Sequence, residues 1–277
     1  METKATGEVR HLDHFVVAVM DPDRAERFYT EVLGARTLKK ESDSSMTRIF
    51  MKLGQNHIGL FSQSKAKIPK REDVRSYPRH AFLVPENEYD RMAEKVRRAS
   101  PLVQEISGKG GLGCSWQDGL AFVDSEGNLL EIAKAKGANK TRVHHLHFDT
   151  TELDESVKFY TSIMNFKVNG QSGEVAVVGI AGDQGDQCVV LHRVNDLSEV
   201  TQTTYRGRHF AFHVTDDNFH AIVDKLHQAG IDERDEHGER EGRRPGQLGT
   251  YFKEPSGFRL QITNEDSETF AKHAVEG

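Results

Sequence analysis

The chain repeats itself at an offset of about 130 residues, so any fold it adopts must be built from two related halves. The segment His14-Phe15-Val16-Val17-Ala18-Val19 recurs as His145-Leu146-His147-Phe148, and the pair Phe28-Tyr29 recurs as Phe159-Tyr160. Further along, Phe122-Val123-Asp124-Ser125-Glu126-Gly127-Asn128-Leu129-Leu130-Glu131 recurs as Phe252-Lys253-Glu254-Pro255-Ser256-Gly257-Phe258-Arg259-Leu260-Gln261. Histidine and carboxylate positions that repeat point to a metal site. The exchange of Glu131 for Gln261 marks the place where the two copies differ in charge.

Each half divides again. The hydrophobic period switches from two to 3.6 and back, which predicts a strand, a helix and then three strands, twice per half. Ala25, Phe28, Tyr29 and Val32 fall at helical spacing, as do Ser156, Phe159, Tyr160 and Ile163 in the second half. Tyr89, Met92, Ala93 and Val96 match Phe219, Ile222, Val223 and Leu226 in the same way. Asp21-Pro22 reads as an N-cap followed by proline at the first helical position, and Gly34 as the residue that ends that helix. Four amphipathic stripes predict four units. The connection Lys136-Gly137-Ala138-Asn139-Lys140 separates an N-terminal domain at 10–136 from a C-terminal domain at 141–265.

A length of 277 residues is enough for two domains with their own cores. The formal net charge of -6 disfavours a nucleic-acid partner and leaves a small molecule as the expected one. With no apolar run near the roughly 20 residues that span a bilayer and no basic leader, a soluble, cytoplasmic protein is expected, with homo-oligomerisation left open. Cys114 and Cys188 lack zinc-site spacing, and Cys188 reads as a small buried hydrophobe. The charged stretches Lys65 to Arg75 and Asp232 to Gln247 read as surface loops, with a lid as the functional alternative. Gly108-Lys109-Gly110-Gly111-Leu112-Gly113 lacks the pattern of a phosphate-binding loop.

Alternation along a strand puts His145 and His147 on one face and His144 on the other, and likewise pairs His209 with His213. The hairpin Tyr251 to Gln261 turns through Glu254-Pro255-Ser256-Gly257. A turn centred near Ser256 sets Tyr251 opposite Gln261, and the same geometry in the first half sets Ala121 opposite Glu131.

This pattern resembles the vicinal oxygen chelate superfamily, which includes glyoxalases, fosfomycin-resistance proteins and two-domain extradiol dioxygenases. The resemblance runs from His14 to Gln261. It implies an α+β fold of four βαβββ units forming two vicinal-oxygen-chelate domains with mixed, cup-shaped sheets. It also implies a metal held by a His on the opening strand of one unit, a His on the opening strand of the next, and a carboxylate on the last strand. Carried over, these are His145, His209 and Gln261 in the C-terminal half, with Tyr251 as the catalytic tyrosine that assists the substrate hydroxyl. The N-terminal half supplies His14 and Glu131. There, alignment pairs Arg79 with His209, while a bulge would present His80 instead. If units are exchanged between halves, His145 joins Glu131, and His14 joins His209 and Gln261; the sequence is compatible with either pairing.

Two departures from the dioxygenases stand out. Gln261 replaces the expected glutamate, and no acid-base histidine is well placed around Cys188-Val189-Val190-Leu191, since His192 lies at the far end. The resemblance implies iron(II) or manganese(II) and a catechol-like substrate that chelates the metal through adjacent oxygens. The alternatives are a non-redox lyase or isomerase using zinc, nickel or manganese, and a metal-free small-molecule binding protein.

Overall fold

The computed structural model describes residues 6–62, 78–107, 118–182, 186–197, 208–233 and 244–276. The first unit comprises β1 (Val9–Val19), α1 (Pro22–Glu31), β2 (Arg36–Ser42), β3 (Thr47–Leu53) and β4 (Asn56–Ser62). The second comprises β5 (Arg79–Pro85), α2 (Glu86–Ala99), β6 (Val103–Ser107), β7 (Asp118–Val123) and β8 (Leu129–Ala135). The third comprises β9 (Arg142–Thr150), α3 (Leu153–Ser162), β10 (Lys167–Gln171), β11 (Val175–Gly179) and β12 (Cys188–Arg193). The fourth contributes β13 (His209–Val214), α4 (Asp216–Gln228), β14 (Gly249–Lys253) and β15 (Arg259–Thr263), followed by an appended helix α5 (Ser267–Glu276). The stretch Lys65 to Arg75, the glycine-rich segment after Ser107 and most of Asp232 to Gln247 lie outside the described residues.

All four predicted stripes are buried where expected. Helix α1 starts at Asp21, whose side chain accepts from the Arg24 amide at 2.9 Å, and buries Ala25, Phe28 and Tyr29. Helices α2, α3 and α4 bury Tyr89, Met92, Ala93 and Val96; Ser156, Phe159 and Tyr160; and Phe219, Ile222, Val223 and Leu226. Within each unit the helix crosses between parallel strands, as in β1 with β4 and β9 with β12.

The units are exchanged. One sheet has the order β14-β15-β13-β1-β4-β3-β2 and the other β10-β11-β12-β9-β5-β8-β7-β6. The first unit therefore joins the fourth through antiparallel β1 and β13, and the second joins the third through antiparallel β5 and β9. A continuous apolar core runs through both sheets. His80 belongs to it: its ring stacks 3.9 Å from Phe15 and 4.7 Å from Phe210, facing away from the strand side that Arg79 occupies. The linker between halves passes close under the β3–β4 turn. A Cβ on Gly54 would stand 1.8 Å from the Thr141 carbonyl oxygen, and φ at Gly54 is +56°, so only glycine fits that crossing.

Cys188 is fully buried in a small apolar cluster with Val177 and Val190, in line with its reading as a small buried hydrophobe. No helix among the described residues is long and apolar enough to cross a membrane.

Candidate metal centre

In the seven-stranded sheet, strand register brings side chains from both halves of the chain to one face. His14 on β1 pairs with Ala211 on β13, and Val16 pairs with His209, which places the two imidazoles diagonally on that face. Ala211 pairs with Gln261 on β15, and Gln261 with Tyr251 on β14, as the hairpin predicted. On the other side of β1, His14 pairs with His57 on β4.

The side chains converge. His14 Nε2 and His209 Nε2 are 3.3 Å apart, their rings nearly perpendicular at 83°. Two nitrogens each about 2.1 Å from one ion lie roughly 3.0 to 3.4 Å apart in octahedral or tetrahedral arrangement. Gln261 Oε1 is buried beside them and has no hydrogen-bond partner among the described residues. An unpartnered buried acceptor costs about 1–3 kcal/mol, which a cation would return. Two imidazoles at ligand spacing and an orphaned amide oxygen fit a divalent ion.

The surrounding groups orient this set. Asp13 Oδ2 lies 2.7 Å from His14 Nδ1, which turns Nε2 toward His209 in the manner of a carboxylate behind a metal-bound histidine. Burial opposes ionisation of Asp13, but contacts from His11 and His14 outweigh it and hold its carboxyl well below the usual range. Asp13 Oδ1 accepts from the Ser267 amide at 2.7 Å, at the start of α5. The Ser267 hydroxyl in turn meets His57 Nδ1 at 2.8 Å. His57 is sandwiched between His14 at 3.9 Å and Phe270 of α5 at 4.2 Å; burial, then the neighbouring His14, holds its pKa well below the ordinary value. The Tyr251 ring meets His209 edge-on at 5.0 Å and carries the Arg259 guanidinium 4.2 Å above its face. A cavity of about 400 Å³ opens over these residues, walled by Phe50, Phe61 and Phe270 and edged by Arg48, Arg244 and Glu265.

The eight-stranded sheet presents the equivalent face with different contents. His145 pairs with Ala81, Arg79 with His147, and Glu131 with Ala81 and Ala121. By register, His145 stands for His14, Arg79 for His209, Glu131 for Gln261 and Ala121 for Tyr251. His145 Nε2 is 3.3 Å and His147 Nε2 is 3.5 Å from the Glu131 carboxylate, while Arg79 Nε lies 2.8 Å from it. His192 Nε2 is 2.9 Å from His147 Nδ1. Burial opposes ionisation of Glu131, but His145, His147 and Arg79 hold its pKa well below the usual range.

The five expected ligands thus separate into two groups. His14, His209 and Gln261 come together with Tyr251, and His145 meets Glu131. The grouping of His145 with His209 and Gln261 does not occur, because those residues lie on different sheets. His213 shares a strand face with His209 but lies further along, stacked 4.8 Å from His11. Sequence reasoning missed Asp13 and His57. His57 was legible: β4 aligned on β12 sets it at the position of Cys188, the strand where an acid-base histidine was sought in the wrong half.

The family described as Glyoxalase/Bleomycin resistance protein/Dioxygenase superfamily matches residues 11–132 and 142–262. Among solved structures, a candidate dioxygenase from Bacillus subtilis subsp. subtilis strain 168 superimposes with a TM-score of 0.71 at 16% identity, covering 96% of this chain and 91% of that one. Glyoxalase I from Zea mays superimposes with a TM-score of 0.66 at 17% identity, covering 95% of each chain. The metallothiol transferase FosB of Lysinibacillus sphaericus (strain C3-41) is 26% identical over 95 residues, 34% of this chain and 63% of the transferase.

Proposed function

The chain belongs to the glyoxalase/bleomycin resistance protein/dioxygenase superfamily, and from that premise we propose that His14, His209 and Gln261 hold a divalent metal in an enzyme resembling extradiol dioxygenases, acting on a small catechol-like substrate. The observation that carries this reading is the convergence of two facing Nε2 atoms and an unpartnered amide oxygen under an aromatic-walled cavity. His14, His209 and Gln261 would hold iron(II) or manganese(II), which would supply Lewis-acid charge for a substrate with adjacent oxygens and redox chemistry with dioxygen.

The chain's own residues have separable tasks. Phe50, Phe61 and Phe270 offer flat apolar walls to a planar ring. Tyr251, beside Gln261, donates its hydroxyl to a substrate oxygen. His57 has Nδ1 engaged by Ser267, so Nε2 is the atom that takes the proton from a substrate hydroxyl. Helix α5 supplies Phe270, His273 and Ala274 to the cavity wall. Asp13 keeps His14 in the tautomer with Nε2 toward the site.

A second reading rests on Gln261. Its neutral amide removes the anionic member of the two-histidine, one-carboxylate set that suits iron(II), and this favours a non-redox lyase or isomerase using zinc, nickel or manganese. Oxygen uptake separates the two. A dioxygenase consumes oxygen with catechols and stops under nitrogen, whereas a lyase or isomerase continues. Metal analysis tests the site itself: His14→Ala and His209→Ala should lose the ion, and retention of full metal by both variants would refute the assignment.

A further inference from the structure

The eight-stranded sheet keeps two of the three family ligand positions, as His145 and Glu131, and replaces the third by Arg79. Glu131, His145 and His147 bring three ligand atoms within 4.8 Å of one another, but Arg79 lies against two of them and a metal does not fit the set of four. A guanidinium is always protonated and offers no lone pair, so it cannot ligate. It is also already where a cation belongs, with Nε 2.8 Å from Glu131 Oε2 and a terminal nitrogen 3.2 Å from His147 Nε2. Glu131 and His145 are fully buried, and His147 and Arg79 are nearly so. A buried carboxylate needs a countercharge, and an ion entering beside Arg79 would meet a like charge in a low-dielectric space.

We propose that the second site has exchanged its metal for a tethered cation: the Arg79 side chain stands in the ion's place, the chain binds metal at the first site alone, and Arg79 is what closes the second site to metal. The inference concerns Arg79, Glu131, His145 and His147, none of which belongs to the first site. Its second consequence is structural. Arg79 and Glu131 come from the first half of the chain and His145 and His147 from the second, so the cluster fastens the β5–β9 seam independently of metal supply.

The test counts ions on the purified full chain after equilibration with manganese(II) and separately with zinc(II), removal of loose metal and elemental analysis. The parent should hold a single ion, lost in His14→Ala and retained in His145→Ala. Arg79→His replaces the guanidinium with an imidazole at the register position of His209, and it should bind one ion more than the parent. In Arg79→Ala, the midpoint of thermal unfolding should fall and should rise on adding either metal by more than the parent's does, while Arg79→Ala combined with Glu131→Gln should recover without metal. Loss of an ion in His145→Ala, or an unchanged count in Arg79→His, would overturn the proposal. Should Arg79→His fail to fold, Glu131→Gln in the parent decides: an unchanged ion count supports the proposal and a lost ion refutes it. A parent with no metal at all would defeat the reading of the first site, yet the gain in Arg79→His would still be read against it.

Discussion

Gln261 is the residue on which the chemistry of the first site turns. In the proposed set with His14 and His209 it would leave the donors wholly neutral, with the Asp13 carboxylate 2.7 Å from His14 Nδ1 behind them. Gln261→Glu should tighten metal binding by roughly tenfold or more, since a carboxylate binds a hard divalent ion more strongly than an amide does. Competition with a fluorescent chelator measures this, and unchanged affinity would remove Gln261 from the ligand set. A different residue sets pH dependence. The Glu254 carboxyl is pushed by burial from 4.5 to about 7, so the folded chain holds its proton where the unfolded chain has lost it. Stability from this group is complete below about pH 4.5 and falls as pH rises to about 7, by about 3 kcal/mol at most. Glu254→Gln should flatten that slope in urea titrations at about pH 5 and about pH 8. At this scale the sequence was legible where local geometry decided the outcome, as in the Tyr251–Gln261 pair across its turn. It was silent on Asp13, whose role comes from a contact with the backbone of Ser267, 254 residues away.

Among the elements, α5 stands apart because it belongs to none of the four repeats. It carries Phe270 onto His57 and Phe50, and its first residue bonds both Asp13 and His57. Ser267→Ala keeps the amide bond to Asp13 but removes the hydroxyl from His57, leaving a buried ring nitrogen without its partner. The expected cost is about 1–3 kcal/mol in unfolding free energy, with turnover reduced and metal content intact. Loss of metal in this variant would show that α5 shapes the ligand set rather than the substrate side. The repeat helices were readable because the same apolar stripe recurs in four of them. Helix α5 had no counterpart to be aligned with, and its stripe is thin, with Phe270 its one large aromatic.

For the whole molecule, the pairing of units was the question sequence could not decide. The four opening strands are similarly apolar, and either arrangement buries the same helix faces, so periodicity holds no information about whether β1 lies against β13 or β5. The observed exchange makes each site a joint product of the halves. Residues 1–138 and 139–277 expressed separately should each fail to bind metal at the first site, and co-expression should restore it. Metal retained by the C-terminal piece alone would refute the exchange.

The exchange gives the two seams different physical characters. The proposed ion between His14 and His209 would tie together points 195 residues apart along the chain, and so would act as a reversible cross-link closing a very large ring. Its hold on the fold grows logarithmically with the free concentration of metal. The β5–β9 seam, where Arg79 and Glu131 on one side meet His147 and His145 on the other, carries its own fastener. Metal starvation would therefore loosen the molecule along one seam only, and hydrogen exchange in chelator should rise in β1 and β13 while β5 and β9 stay protected.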